Sequence, residues 1–313
     1  MKKIMCVGGI TTDILVKPAD SVPPPGVLRS VDSIVTQVGG CASNCATDLA
    51  RLGIPAAISC RLGQDNYGDF VKSTLAESGI DVSGAVQTGS APTTVSIVCI
   101  HSDGERSFLY NPGSTADFCK EDIDMSLIDD CDIVFVAGAM LMNGFDGPPT
   151  AQFLQECRKR GKYTVMDTAW DFDDVWLPKI EAALEGLDLF MPSYDEAVKL
   201  SGQKEPEQIA DFFAQKGVKD VVIKLGADGA YLQTRAGRKE YYPTYREIKP
   251  VDTTGAGDSF CAGFLAGLSM DWPPEECARF ANAVGTHCIM QVGASAGIPS
   301  MDEVLRFMRE HDA

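Results

Sequence analysis

Histidine is scarce in this 313-residue chain, three in all, and none of its eleven cysteines forms a Cys-x-x-Cys pair. Cys41 and Cys45 stand one helical turn apart, which could be half a metal site. With no histidine nearby, packing explains them better. The cysteine spacings give no framework of bridges, and reduced thiols point to a cytoplasmic protein. Positive charge is also short: 27 Lys and Arg face 44 Asp and Glu, a formal net charge of −17. That balance argues against nucleic acid and against an anionic membrane as partners. An anionic ligand meets a repulsive far field, so local N–H groups, a few cations and a metal must supply the attraction. No apolar run reaches the length of a membrane span. Two lysines and a short apolar run open the chain, but Gly8-Gly9 and Thr11-Thr12-Asp13 interrupt it before a signal-peptide core is complete. The Gly-x-Gly-x-x-Gly fingerprint is missing after the first strand, so an NAD-dependent oxidoreductase lacks its phosphate turn. Long repeats and low-complexity tracts are absent too.

What is present is the composition of a soluble globular protein, 45% hydrophobic and 23% charged, with length for one large α/β domain or two ordinary ones. One stretch organises the rest: Val251-Asp252-Thr253-Thr254-Gly255-Ala256-Gly257-Asp258-Ser259-Phe260. An apolar run with Phe260, Cys261, Phe264, Leu265 and Leu268 follows, and small residues fill its other side, so it reads as a buried helix. A helix that starts on Gly-Ala-Gly-Asp aims unpaired N–H groups and its positive dipole end at one point, a site for an anion. Asp258 is either the helix cap or a proton acceptor beside that anion. A cap has no need of the glycines, which favours the second reading.

A second stretch is Val38-Gly39-Gly40-Cys41-Ala42-Ser43-Asn44-Cys45. Cys45, Leu49 and Leu52 share a helical face and Gly53 stops it. Gly39 and Gly40 permit close approach of a ligand, and Asn44 offers a donor and an acceptor to a hydroxyl. Asp13 follows the first strand, where it either binds a polar ligand or closes a turn. From about residue 120 strands and helices alternate, which predicts a parallel sheet covered on both faces. Earlier fragments, including 14–16 and 31–36, lack room for crossover helices and read as an accessory sheet. Ser102-Asp103-Gly104-Glu105 joins two strands as a hairpin turn.

The 252–260 stretch resembles the C-terminal signature of the ribokinase (pfkB) family of carbohydrate kinases, and Gly39, Gly40 and Asn44 resemble its N-terminal one. The resemblance implies a ribokinase-like three-layer α/β/α fold with a mostly parallel central sheet and a small β-sheet lid. It implies one kinase domain over residues 1–313, with lid strands inserted from about 14–36 and 82–112. The implied activity is ATP-dependent phosphorylation of a hydroxyl, primary for preference, on a small sugar or, alternatively, a nucleoside. A non-catalytic sugar-binding regulator is a further alternative. Asp258 would be the base and the Gly255, Ala256 and Gly257 amides the anion hole. Asp13, Gly39, Gly40 and Asn44 would hold the acceptor, with Arg106 a further candidate although a strand arginine is more often solvated. Lys224-Leu225-Gly226-Ala227-Asp228-Gly229 is similar to the family's Lys-x-Gly-x-x-Gly turn, so Lys224, Gly226 and Gly229, with Asn282 on a later helix, would contact the nucleotide. Glu196 matches the acid of an Asn-x-x-Glu motif and would act through water on Mg2+; Ser193 stands in place of the Asn. By the same resemblance the carbonyls of Asp252 and Thr254, with the 288–295 loop, would hold K+. The lid sheet would mediate a homodimer. Asp167-Thr168-Ala169-Trp170-Asp171 departs from the family's Asn and Arg at this point, which leaves the substrate open rather than the reaction.

Overall fold

The computed structural model describes residues 1–103 and 105–311. Thirteen strands are found among them: β1 (Ile4–Gly8), β2 (Thr11–Lys17), β3 (Ser33–Gly39), β4 (Ala56–Gly63), β5 (Asp81–Thr88), β6 (Val95–Ile100), β7 (Arg106–Asn111), β8 (Ile133–Ala139), β9 (Tyr163–Thr168), β10 (Leu189–Phe190), β11 (Asp220–Lys224), β12 (Ala230–Gln233) and β13 (Lys239–Tyr242). Nine form the main sheet in the order β13-β12-β11-β10-β9-β8-β1-β4-β5, and four form a second sheet, β3-β2-β6-β7. The main sheet is parallel from β11 to β5, and β12 and β13 add an antiparallel edge.

Both faces of the main sheet are covered, which is why β1 and β8 read as unbroken apolar runs and are buried throughout. Ile4 and Cys6 face one core with the helices Cys41–Arg51, Ala256–Ser269 and Pro274–Ile289, whereas Met5 and Val7 face the other with Phe118, Phe145 and Phe153. The Ala256–Ser269 and Pro274–Ile289 helices approach closely because their contact is lined by small residues. A Cβ on Gly263 would lie 2.8 Å from the Cα of Ala281. Strand order reverses at β1, with β4 on one side and β8 on the other. Ligands in such sheets bind outside the strands' carboxyl ends at that switch.

The second sheet stands off the body, and β3 and β7 are exposed along most of their length. Its strands start at Thr11 and, in the second segment, at Val95. Residues 82–87, grouped above with the lid segment 82–112, instead belong to β5 at the edge of the main sheet, paired in parallel with β4. A short strand of mixed burial fits an edge strand and a half-covered lid strand alike, so the pattern alone does not separate them. β6 and β7 do pair antiparallel as expected, although Gly104 of the connecting turn lies outside the described residues.

Candidate active site

The helix Ala256–Ser269 has Gly255 as its N-cap, left-handed at φ 78°, and no side chain caps it. A Cβ on Gly255 would lie 2.7 Å from the Cα of Ala294, so sterics and φ both select glycine. Asp258 is therefore not the cap. Its Oδ2 accepts a 2.8 Å hydrogen bond from Nδ2 of Asn44, which the neighbouring helix supplies. Burial pushes the Asp258 carboxyl above the ordinary range, against the Asn44 hydrogen bond and the charge of Lys224. Among the described residues the N–H groups of Gly257 and Asp258 have no backbone acceptor, as expected for a first turn.

Asn44 is placed by Gly40, whose φ of 99° turns the chain from β3 into the Cys41–Arg51 helix. Gly39 pairs with Thr11 across the second sheet, and a Cβ there would lie 2.7 Å from Cγ of Asp13. Asp13 takes a 2.7 Å hydrogen bond from the Thr11 hydroxyl, and burial raises its carboxyl. Tyr110 of β7, not foreseen from sequence, leans over the same place. Burial, then the nearby Cys41 and Asp13, push its phenol up. Asp13, Gly39, Gly40, Asn44 and Asp258 are thus gathered on one side of the helix start.

On the other side lies a cavity of about 600 Å³, lined by Lys224, Gly226, Gly229, Thr253, Gly257, Phe260 and Asn282, among others. That volume suits a nucleotide-sized ligand. All four residues expected at the nucleotide are there. Asn282, buried, has its NH2 committed to the carbonyls of Tyr242 and Pro243, at 2.9 and 3.2 Å, so it fixes the cavity wall. The Ala256–Ser269 helix start separates this cavity from the Asn44 side.

Two candidates have stronger structural duties than expected. Arg106 has its partners within the protein. It crosses from β7 to the body, where it pairs with Asp252 at 2.7 Å and contacts the Thr254 hydroxyl. A guanidinium finds a carboxylate that is 3% exposed a better partner than a neutral sugar. The Asp252 carboxylate also accepts from the Thr254 and Gly293 N–H groups, both at 2.9 Å, tying the glycine loop to the 293 turn. Glu196 accepts from Ser193 N–H at 3.2 Å and the Thr168 hydroxyl at 2.9 Å, a capping box on the Tyr194–Ser201 helix. Burial, then Asp167, raise its carboxyl. No three His, Cys, Asp or Glu side chains among the described residues form a ready metal cluster.

An ion pair between Asp167, at the end of β9, and Lys224, at the end of β11, was not foreseen; Lys224 Nζ lies 2.8 Å from Asp167 Oδ1. The two strands flank β10, so only the strand order reveals the pairing.

A two-compartment cleft across a helix start, with a carboxylate on one side and a nucleotide-sized cavity on the other, describes an α/β phosphotransferase. The model of the pfkB family carbohydrate kinases matches residues 1–301, and the chain belongs to that family. It is 28% identical to the ribokinase of Arabidopsis thaliana over 314 residues, covering 98% of this chain and 81% of that protein. Identity to the aminoimidazole riboside kinase of Salmonella typhimurium is 27% over 322 residues, 99% of this chain and 96% of that one. The solved structure of Arabidopsis thaliana ribokinase complexed with ribose and ATP superposes with a TM-score of 0.84 at 25% identity, covering 98% of this chain and 99% of that one. The protein is a carbohydrate kinase with a ribokinase-like α/β fold, and the oxidoreductase and non-catalytic alternatives fall away.

Proposed function

We propose that the chain works as one kinase unit that transfers the γ-phosphoryl group of ATP in line to a hydroxyl, primary for preference, of a small sugar. The observation that carries the residue assignment is the Asn44 to Asp258 hydrogen bond, 2.8 Å long, at a helix start with unpaired N–H groups. Phosphoryl transfer needs positioning and charge stabilisation more than covalent help. Asp13, Asn44 and the open backbone at Gly39 and Gly40 hold the acceptor so that its hydroxyl meets Asp258. Asp258 takes the proton, and the Gly255 and Gly257 amides, with that of Ala256 once its 3.2 Å bond to the Thr253 carbonyl gives way, receive the charge that develops on the phosphoryl oxygens. Gly226, Gly229, Lys224 and Asn282 shape the nucleotide side.

Mg2+ bound with the nucleotide would supply charge that neutralises the phosphates. Glu196 fits a role through water: one oxygen is anchored by Thr168 and Ser193, and Oε1 has no partner among the described residues. A K+ ion beside the glycine loop would draw on the Asp252 and Thr254 carbonyls and the 288–295 loop; the Thr254 and Ala294 carbonyls now accept from the Cys288 thiol, at 3.3 and 3.1 Å, so that thiol would have to turn away. A second copy covering the lid sheet would bury Ile34, Val35, Phe108 and Leu109, each more than half exposed. The eleven free thiols fit a cytoplasmic setting.

A nucleoside is the second acceptor class, favoured by the similarity to the riboside kinase above. ATP consumption over a panel of sugars and nucleosides decides between them. With the best acceptor, Asp258→Asn lowers kcat by roughly two to four decades while nucleotide binding changes little. Near-normal turnover in the folded variant rejects Asp258 as the base. Because burial raises this carboxyl, the acid limb of the pH–rate profile lies above the ordinary carboxylate range.

A further inference from the structure

Two side-chain hydrogen bonds join the Cys41–Arg51 helix to the start of the Ala256–Ser269 helix. Asn44 Nδ2 donates to Asp258 Oδ2 at 2.8 Å, and the Ser259 hydroxyl donates to Asp48 Oδ2 at 2.6 Å. Asn44 and Asp48 are four residues apart, so they share a helix face and stand about 6 Å apart along its axis. Asp258 and Ser259 are consecutive on the facing helix. Small or apolar side chains surround both bonds: Ala42, Cys45 and Ala46 share a core with Cys261, Ala262 and Leu265. Such packing is non-directional and leaves two helices some freedom to turn or slide. One hydrogen bond between them is a pivot; a second, one turn away, fixes orientation as well as distance.

Asp48 is wholly buried, and its Oδ1 has no partner among the described residues. It falls on the face that Cys45 and Leu49 also bury, where an apolar side chain would cost less. Packing alone therefore does not account for a carboxyl at this position. Ser259, its partner, is tied to the site from the other direction. The Ser259 N–H closes the first helical turn on the Gly255 carbonyl at 2.8 Å, and Asp258 is the residue before it. The Asp48–Ser259 bond thus holds the same turn that carries the acid and the unpaired N–H groups.

We propose that Asp48 is a positioning residue for phosphoryl transfer: by holding Ser259 it fixes the first turn of the Ala256–Ser269 helix against Asn44, and so keeps Asp258 and the Gly257 N–H aligned. This rests on the kinase reading of the cleft and adds to it a residue with no exposed surface. Asp48 touches neither reactant, and no proton or bond passes through it.

The test uses Asp48→Ala, Ser259→Ala, the double variant and Asp48→Asn, with the best acceptor from the sugar and nucleoside panel. Asp48→Ala and Ser259→Ala each lower kcat about 10- to 100-fold, the scale of a small displacement at the reacting atoms, while ATP affinity by titration calorimetry stays as in wild type. The two residues act through one bond, so the double variant is no slower than the slower single one. Asp48→Asn, whose amide oxygen still accepts from Ser259, recovers most of the loss. The acid limb of the pH–rate profile moves as well. The Asn44 bond holds the Asp258 carboxyl down, so loosening it shifts the limb to higher pH. Loss of the Asp48 charge alone would shift it to lower pH. Lys224, Cys41, Glu196 and Asp167, which also face Asp258, are unchanged in these variants. A merely structural Asp48 would alter Tm and leave both kcat and the limb in place. Wild-type kcat in both alanine variants, a limb that moves down, or losses that multiply in the double variant overturn the positioning role. Ser259→Ala removes a single oxygen and carries the test if Asp48→Ala does not fold. Wild type that phosphorylates nothing in the panel overturns the kinase reading itself, and the proposal with it.

Discussion

Asp48 is a wholly buried carboxylate on the Cys41–Arg51 helix, and its energetics can be tested by one substitution. One oxygen accepts from the Ser259 hydroxyl at 2.6 Å, and the other has no partner among the described residues. Burial pushes its carboxyl up to about 7 from an ordinary 3.8, with Ser259 and Ser295 opposing and Asp258 adding to the rise. The folded state therefore holds this proton over a range in which the unfolded chain releases it. Below about pH 4 both states are protonated and the group has no effect. As pH rises toward 7 the unfolded chain gains the free energy of ionisation, and folding stability falls by about 1.4 kcal/mol per pH unit, about 4 kcal/mol in total. Asp48→Asn removes this loss. The stability difference between variant and wild type, from urea unfolding, should grow in the variant's favour by about 2–3 kcal/mol between pH 5 and pH 8. Subtracting the two proteins cancels the other titrating groups. A difference that stays constant with pH refutes the claim that Asp48 is protonated in the folded protein near neutrality.

Arg106→Ala should lower stability by about 1–3 kcal/mol, because Asp252 loses its guanidinium while remaining buried. Unchanged stability together with a raised acceptor KM would return Arg106 to the substrate. Sedimentation equilibrium should find a dimer, and Phe108→Asp with Ile34→Asp should convert it to monomer, since both side chains are more than 60% exposed on the lid sheet. A wild-type monomer at micromolar concentration removes that interface.

The features legible in the sequence are those whose physics is local. Residues 252–260 carry the helix start, the glycines and the acid in one continuous stretch, and Gly39, Gly40 and Asn44 do the same for the side proposed to hold the acceptor. Folding brings these two stretches to a single hydrogen bond. Less legible are features that depend on which strands become neighbours. Asp167 and Lys224 are 57 residues apart and meet because β9 and β11 both flank β10. Arg106 finds Asp252 only once β7 stands over the body. The short β12 and β13, at the sheet edge, have too few residues to announce themselves. Asp48 was within reach. It falls three residues after Cys45 and one before Leu49, on the face that Cys45, Leu49 and Leu52 bury, and a carboxylate in an apolar stripe is the signal of a buried titrating group.

The charge of the chain sharpens the account of the cleft. With a net charge of −17 the protein as a whole repels ATP, yet charges more than about 8 Å from the ligand are largely screened at physiological ionic strength. What the phosphates meet is then set by their immediate neighbours. Asp258, Asp167 and Glu196 are all close enough to perturb one another or Lys224, and a site with only these groups would reject an anion. Lys224 answers that opposition: the Asp167 charge, the Cys261 thiol and Glu196 outweigh its burial and keep its ammonium charged. The unpaired first-turn N–H groups add partial positive charge that no pH change removes. On the site proposed above, attraction is thus concentrated on the end of the cleft where negative charge would develop during transfer, so the protein's acidity would cost it little there.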